Sequence, residues 1–297
     1  MPDVVGIGAL NMDRVYLVER IGAAGEEIKI DSVSEESGGS AANTIAGLAG
    51  LGVTTGFVGR VGDDPDGARI RSGMEREGVD VTGIEVAQGM TGVAIVLVDR
   101  RGERAIYLHP GVNDTFRMTH ENLACAKSAK FLHLSSFASE TSLAAQKEIL
   151  SRSEAKISFA PGMLYSGLGT ATLMEILSRA EVVFLNRDEI GILMGSDYRN
   201  GARELNLIGA AIVVVTLGGG GCYIRSGGVE ISIPASAADV IDTTGAGDAF
   251  SAGFLAGLLK GEPLDRCGRI GNSVAARCVE AVGARAWTGA VAGMKIG

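Results

Sequence analysis

Short apolar runs recur along the chain, each closing on glycine or a small polar residue: VVGIGAL (4–10), TTGFVGRV (54–61), KFLHLS (130–135), KISFAPG (156–162), EVVFLN (181–186) and AIVVVTLGG (211–219). Segments of helical period follow them. Near-continuous apolar strands alternating with helices predict a mostly parallel sheet with helices on both faces. Two stretches break that rhythm. DRVYLVERIGAAGEEIKIDSVSEE (13–36) and TGVAIVLVDRRGERAIYLHPG (91–111) alternate apolar and polar positions and predict antiparallel hairpins, the second turning at DRRGE. A small separate sheet and an edge extension of the main sheet both satisfy that pattern. In an open α/β fold, ligands bind beyond the carboxyl ends of the strands, so a flap of antiparallel strands there would cover a site and exclude water.

Composition sharpens this picture. The 297 residues are 46% hydrophobic, enough for a sizeable core, and no linker or internal repeat divides them. The expectation is one α/β domain over 1–297 with lid segments at about 13–36 and 91–111. The net charge of −8 and the lack of any basic tract argue against nucleic acid. The longest strongly apolar run, AAIVVV (210–215), is far below the ~20 residues of a membrane span. MPDVVGIGAL enters strand-like sequence at once, with no leader pattern, so a cytoplasmic protein is expected. Cys125, Cys222, Cys267 and Cys278 show no C-x-x-C spacing, and His109, His120 and His133 are far apart. Reduced thiols, not a zinc site, follow from that.

The glycine loops carry the candidate chemistry. GIGALN (6–11) misses the dinucleotide fingerprint because Asn11 replaces its last glycine and a strand follows, and no Gly-Lys pair exists to form a phosphate-binding P-loop. GGSAANTIAGLAGLG (38–52) predicts a helix with Ser40 as its N-cap. Small residues at Ala42, Ala46 and Ala49 are explained by tight packing, but Asn43 is not. An amide beside the bare Gly38–Gly39 backbone suits a polyhydroxyl ligand. Asn11 and Asp13 share one side of an extended segment, as vicinal sugar hydroxyls require, although turns also favour both residues. TLGGGGC (216–222) either approaches a planar or anionic group or turns tightly into CYIRS. In IDTTGAGDAF (241–250) a helix beginning near Gly247 offers the N–H groups of Gly245, Ala246 and Gly247 to an anion. Asp248 there is either a first-turn cap or a general base working beside that anion site.

Together these segments resemble the ribokinase-like carbohydrate kinases, the PfkB family, over nearly the whole chain. GGSAANTIAGLAGLGVTTGFVGRVGDDPDG (38–67) is similar to the N-terminal family signature and DTTGAGDAFSAGFL (242–255) to the C-terminal one, while NRDE (186–189) matches the N-x-x-E element between them. The resemblance implies a three-layer sandwich with a β-lid that also makes a homodimer contact in several members. It implies ATP and Mg²⁺, with Asp248 as catalytic base and Gly245, Ala246 and Gly247 as the anion hole. Asn11, Asp13, Gly38, Gly39 and Asn43 would surround the substrate's hydroxyls. Asn186 would lie near the nucleotide phosphates and Glu189 would order Mg²⁺ through water. Thr216, Gly218 and Gly221 would border the nucleotide, with Asn272 near its base. Asp242, Thr244, Val279, Val282 and Gly283 match positions that bind a monovalent cation, K⁺, in many members.

Two departures stand out. Ala160 in FAPG (159–162) occupies a position where many relatives carry Asp, and GGGG (218–221) lacks polar side chains. The Asn11-Met12-Asp13 arrangement is similar to the ribokinase branch, implying a free sugar such as ribose or fructose. LDRCGRIGNSVAARCVEAVGAR (264–285) is closer to archaeal nucleoside kinases, whose base would need an apolar wall from Met12, Tyr107, Met163 or Tyr165. A phosphosugar would need basic lid residues, for which Arg14 and Arg104 are candidates.

Overall fold

The structure, a computed structural model, describes residues 1–101, 103–285, 287–289 and 291. The expected apolar runs become β1 (Val4–Ile7), β4 (Thr55–Gly62), β8 (Phe131–Ser135), β9 (Lys156–Ala160), β10 (Ala180–Asn186) and β11 (Ile212–Thr216). Because successive side chains leave a strand on opposite faces, each run feeds two cores. Val4, Phe57, Phe131, Val182 and Val214 face one, and Val5, Val58, Leu132, Val183 and Val213 the other. The first core is closed by α1 (Ser40–Gly50), α2 (Pro65–Arg76), α9 (Ala246–Leu259) and α10 (Leu264–Val279). The second is closed by α3 (His120–Lys127), α4 (Glu140–Ser151), α5 (Gly162–Ser166), α6 (Gly169–Leu177), α7 (Arg187–Met194) and α8 (Tyr198–Ile208).

With β5 (Val79–Ala87), β12 (Cys222–Ser226) and β13 (Val229–Ile233), the main sheet has nine strands in the order β13-β12-β11-β10-β9-β8-β1-β4-β5. The strands from β11 to β5 pair in parallel, while β12 is antiparallel to both β11 and β13 at the edge. The two hairpins are not an extension of it. β2 (Asn11–Val18), β3 (Ile30–Gly38), β6 (Gly92–Val98) and β7 (Arg104–His109) form a separate four-stranded sheet in the order β3-β2-β6-β7. Of the DRRGE turn, Gly102 lies outside the described residues, as do 286, 290 and 292–297 at the end of the expected domain. Among the described residues no helix is long and apolar enough to cross a membrane.

Ser40 does not cap α1, contrary to expectation. Gly39 takes that position at φ 108, where a side chain would be strained and would collide with the Ala9 carbonyl, and the Ser40 side chain is turned elsewhere. The anion-loop helix likewise begins one residue earlier than expected, at Ala246, with Gly245 as cap at φ 76.

Helix α9 is held in place from two sides. Phe184 of β10 meets the Phe254 ring edge-on at 5.4 Å, fixing the helix on the sheet. Behind it, a Cβ on Gly253 would lie 2.9 Å from the Val274 side chain and 3.0 Å from the Gly271 Cα, so α9 and α10 touch almost backbone to backbone. Gly253→Ala must push the helices apart. We expect a loss of about 1–3 kcal/mol in urea denaturation; an unchanged midpoint would show that the contact yields freely.

Candidate active site

The carboxyl ends of β1, β8, β9, β10 and β11 open onto three adjoining cavities, the first of them against the small sheet. The first, about 100 Å³, is lined by Asn11, Gly39, Ser40, Leu108, Asn113 and Ser135 among others. The second, about 90 Å³, shares Ser40 with it and adds Asn186, Glu189, Thr216, Gly247 and Asp248. The third, about 540 Å³, shares Thr216 and Gly247 with the second and runs past Gly218, Gly221 and Asn272. Asp248 therefore lines the passage between the small first cavity and the large third one.

Glycines clear the space for the Asn11 and Asp13 side chains, of which Asn11 lines the first cavity and Asp13 none of the three. In β2, Asn11 pairs with Gly38 and Gly92, and Asp13 pairs with Glu36. A Cβ on Gly38 would overlap the Asp13 carboxylate, and one on Gly92 would overlap the Asn11 amide. Asn113, buried, donates to Asn11 Oδ1 at 3.0 Å and to the Leu10 carbonyl at 2.9 Å, which leaves the Asn11 NH₂ facing the cavity side of the pair. No described residue hydrogen-bonds the Asp13 carboxylate. Burial pushes its pKa up to about 7, reinforced by Glu36 and Asp248, while Arg285 works in the opposite direction.

Asp248, in the first turn of α9, accepts from the Ser40 hydroxyl at 2.7 Å and from Asn43 Nδ2 at 2.9 Å. The two donors come from the first turn of α1, so the antecedent glycine loop and the late one meet through this carboxylate. Burial raises its pKa to about 6 against the lowering effect of Asn43, Ser40 and the Arg285 charge. Asp248 does not cap its helix by a side-chain bond. The Ala246 N–H reaches the Thr243 carbonyl at 3.3 Å, but among the described residues no acceptor faces the N–H groups of Gly245, Gly247 or Asp248. Those donors and the positive end of the α9 dipole form an anion cradle beside a carboxylate poised to take a proton.

Asn186 and Glu189 form a capping box on α7: Asn186 Oδ1 accepts from the Glu189 N–H at 2.8 Å, and Glu189 Oε2 accepts from the Asn186 N–H at 2.8 Å. The motif thus has a purely local explanation, yet both side chains line the second cavity. Burial, then the charges of Asp248 and Asp188, raise the Glu189 pKa, a condition that a divalent cation would relieve. Thr216, Gly218 and Gly221 border the third cavity as expected, and the GGGG loop is also the tight turn into β12. Asn272 reaches it too, with Nδ2 tied to the Pro234 carbonyl at 2.9 Å.

Of the five residues expected around a monovalent cation, Asp242, Thr244, Val279 and Gly283 are joined by hydrogen bonds that occupy the Asp242 carboxylate and the Val279 carbonyl. Asp242 accepts from the Thr244 hydroxyl at 2.7 Å and from the Gly283 N–H at 3.0 Å, and the Val279 carbonyl accepts from the Ile241 and Asp242 N–H groups. Val282 is exposed. Arg104 of the small sheet donates to the Thr243 and Thr244 hydroxyls, so a guanidinium already stands there. Of the residues weighed as an apolar wall, Met12 and Tyr165 are buried in the cores and Tyr107 and Met163 are exposed; Leu108 and Leu164 line the first cavity instead. Arg14 is held by Glu35 and by Asp66 at 2.9 Å.

Sequence reading missed Asn113, Ser135 and Arg285. The Arg285 Nε donates to Asn43 Oδ1 at 2.8 Å and Nη1 to Glu77 at 3.3 Å, with the side chain only 10% exposed.

Residues 1–288 match the pfkB family carbohydrate kinases. The chain is 42% identical over 242 residues to an uncharacterized sugar kinase of Archaeoglobus fulgidus, covering 80% of this chain and 96% of that one. It is 34% identical over 286 residues to an ATP-dependent ribose-1-phosphate kinase of Halopiger xanaduensis, covering 96% and 94%. The Arabidopsis thaliana ribokinase complexed with ribose and ATP superposes with a TM-score of 0.85 over 99% of both chains at 24% identity, a likeness of fold.

Asp13 also gives a stability test. A carboxyl whose folded pKa is about 7 binds its proton more tightly folded than unfolded, so its stabilising effect is complete below the unfolded value of 3.8 and is lost as pH rises through about 7. Asp13→Asn removes the charge, so its melting temperature should exceed that of the parent at pH 8, with the gap narrowing as pH falls through 7 and closing only near 3.8. A variant less stable than the parent at pH 8 would contradict the burial penalty.

Proposed function

The chain belongs to the pfkB family of carbohydrate kinases and is a phosphotransferase acting on a sugar or nucleoside hydroxyl, and on that premise we propose that it moves the terminal phosphoryl group of ATP to a hydroxyl of a small free sugar, of ribose or fructose type. The observation that carries this reading is Asp248, lining the small cavity that joins a chamber of about 100 Å³, where Asn11, Ser40, Asn113 and Ser135 offer polar groups, to a much larger neighbour. Asn11, which lines the smaller chamber, and Asp13, two residues further along β2, hold the acceptor's hydroxyls. Asp248 takes the proton of the acceptor hydroxyl as its oxygen bonds to phosphorus; the bond from phosphorus to the bridging oxygen breaks and ADP leaves. The N–H groups at the start of α9 hold the charge on the transferring group. Glu189 and Asn186 would hold Mg²⁺ or its waters, and when bound the ion supplies positive charge to the phosphates. A chain of net charge −8 needs such local sources of positive field to gather a polyphosphate.

A sugar is favoured over a nucleoside because the chamber, about 100 Å³, has no aromatic side chain in its lining to stack on a base, although Leu108 and Leu164 face it. A second reading, a sugar phosphate, is supported by the 34% identity to a ribose-1-phosphate kinase.

ADP release from Mg²⁺-ATP should be measured with ribose, fructose, ribose 1-phosphate, adenosine, inosine and cytidine. Turnover on a free sugar is expected, falling as pH drops through about 6, where Asp248 takes up its proton. Asp248→Asn should lose roughly 10³-fold or more in kcat while still binding the acceptor. Turnover confined to nucleosides would reject the substrate assignment, and an undiminished Asp248→Asn rate would reject the base.

A monovalent cation does not fit the donor set described above, since Arg104 brings its own charge and the Asp242 carboxylate and the Val279 carbonyl are engaged. Equal rates in potassium and in a large organic cation are expected; several-fold activation by potassium would overturn this.

A further inference from the structure

Asn43 lies between a group that can only donate and a group that accepts when ionised. On one side the Arg285 Nε donates to its Oδ1 at 2.8 Å, and on the other its Nδ2 donates to Asp248 Oδ2 at 2.9 Å. A guanidinium has no acceptor, so the amide oxygen must face Arg285 and the NH₂ must face the carboxylate. Turned the other way, the amide oxygen would meet Asp248 and could pair only with its protonated form. Arg285 itself is fixed by Glu77 at 3.3 Å and by burial, and its Nη2 has no partner among the described residues. Its loop is held close by Gly283, whose missing side chain leaves room for the Glu36 carboxylate, and by the Trp287 indole, which donates to the Ala284 carbonyl at 2.8 Å.

We propose that Arg285 is a positioning residue: it locks the Asn43 amide in the one orientation that supports Asp248 as a proton acceptor. This rests on the assignment of Asp248 as the base. Arg285 touches neither reacting group itself. It acts through Asn43, and the charge it brings to the cluster of Asp13, Glu77 and Asp248 is a separate contribution.

The two contributions separate in a mutant cycle. Arg285→Met, Arg285→Lys, Asn43→Ala, the Arg285→Met/Asn43→Ala double variant and Asp248→Asn are compared in kcat and KM with Mg²⁺-ATP and the best acceptor of the panel above, beginning with ribose. Arg285→Met should lower kcat by roughly 10- to 100-fold, the size of a charge-assisted hydrogen bond, with the KM for ATP within about twofold. In the Asn43→Ala background the same change should cost less than about threefold, because the amide it positions is gone. Arg285→Lys keeps the charge but not the fork of donors, and should stay well below the parent. An Arg285→Met loss that is equally large with and without Asn43, or parental kcat in Arg285→Met or Arg285→Lys, would overturn the proposal. Should Arg285→Met not fold, the Arg285→Lys kcat decides alone. Full activity in Asp248→Asn would instead show that the base assignment, not the role of Arg285, has failed.

Discussion

Burying an ionised carboxylate at the start of a helix is the constraint around which this molecule is arranged. A carboxylate leaving water must regain its lost solvation from fixed donors. For Asp248 those donors are Ser40 and Asn43, which lie 208 and 205 positions away in the chain. They reach it only if α1 and α9 run side by side on one face of the sheet. That explains the small residues of both helices: a side chain on Gly47 would strike Trp287 and lie 3.0 Å from the Ala252 Cβ. The same requirement fixes Gly39 and Gly245 as caps with positive φ, since each must turn the backbone sharply and leave the helix terminus open.

The incomplete solvation is as informative as the solvation supplied. Asp13 and Asp248 both hold their protons more tightly than free carboxyls, and burial is the leading cause in each case. Such sites reduce fold stability, and under the proposed reaction they supply a proton acceptor tuned near neutrality and an unsatisfied partner for hydroxyls. Glu189, lining the second cavity, is raised in the same way by burial. The small sheet completes the arrangement by carrying Asn11 and Asp13 at its root and by laying Arg104 on the loop that leads into α9.

The parallel sheet was legible because its central strands are apolar on both faces, a pattern that few other structures tolerate. The edge strands β5 and β13 were not, since β5 alternates buried and exposed positions and β13 is largely exposed. The hairpins were legible as hairpins, but nothing in an alternating pattern distinguishes a separate sheet from an edge. Asn43 could be picked out because packing alone asks for no polar residue there, whereas Asn11 and Asp13 also suit a turn and Asp248 a helix cap, so the pattern by itself left those three open. Ser40 was misread as a cap because its sequence context fits one; only the positive φ of Gly39 frees its hydroxyl for Asp248. Asn186 and Glu189 cannot be judged from spacing, because a capping box and a ligand set require the same residues. Arg285 left no signal: its partner Asn43 is 242 positions away, and a lone arginine after Gly283-Ala284 has neither period nor motif.

The most direct measurement is the titration of Asp248 itself, by following its side-chain carboxyl ¹³C shift in aspartate-labelled protein, with Asp248→Asn to identify the signal. A carboxyl enclosed by α1 and α9 as described here titrates near pH 6. A midpoint near the ordinary value of 3.8 would mean that the group is solvated like any surface acid, and the account of how this site holds its base would be wrong.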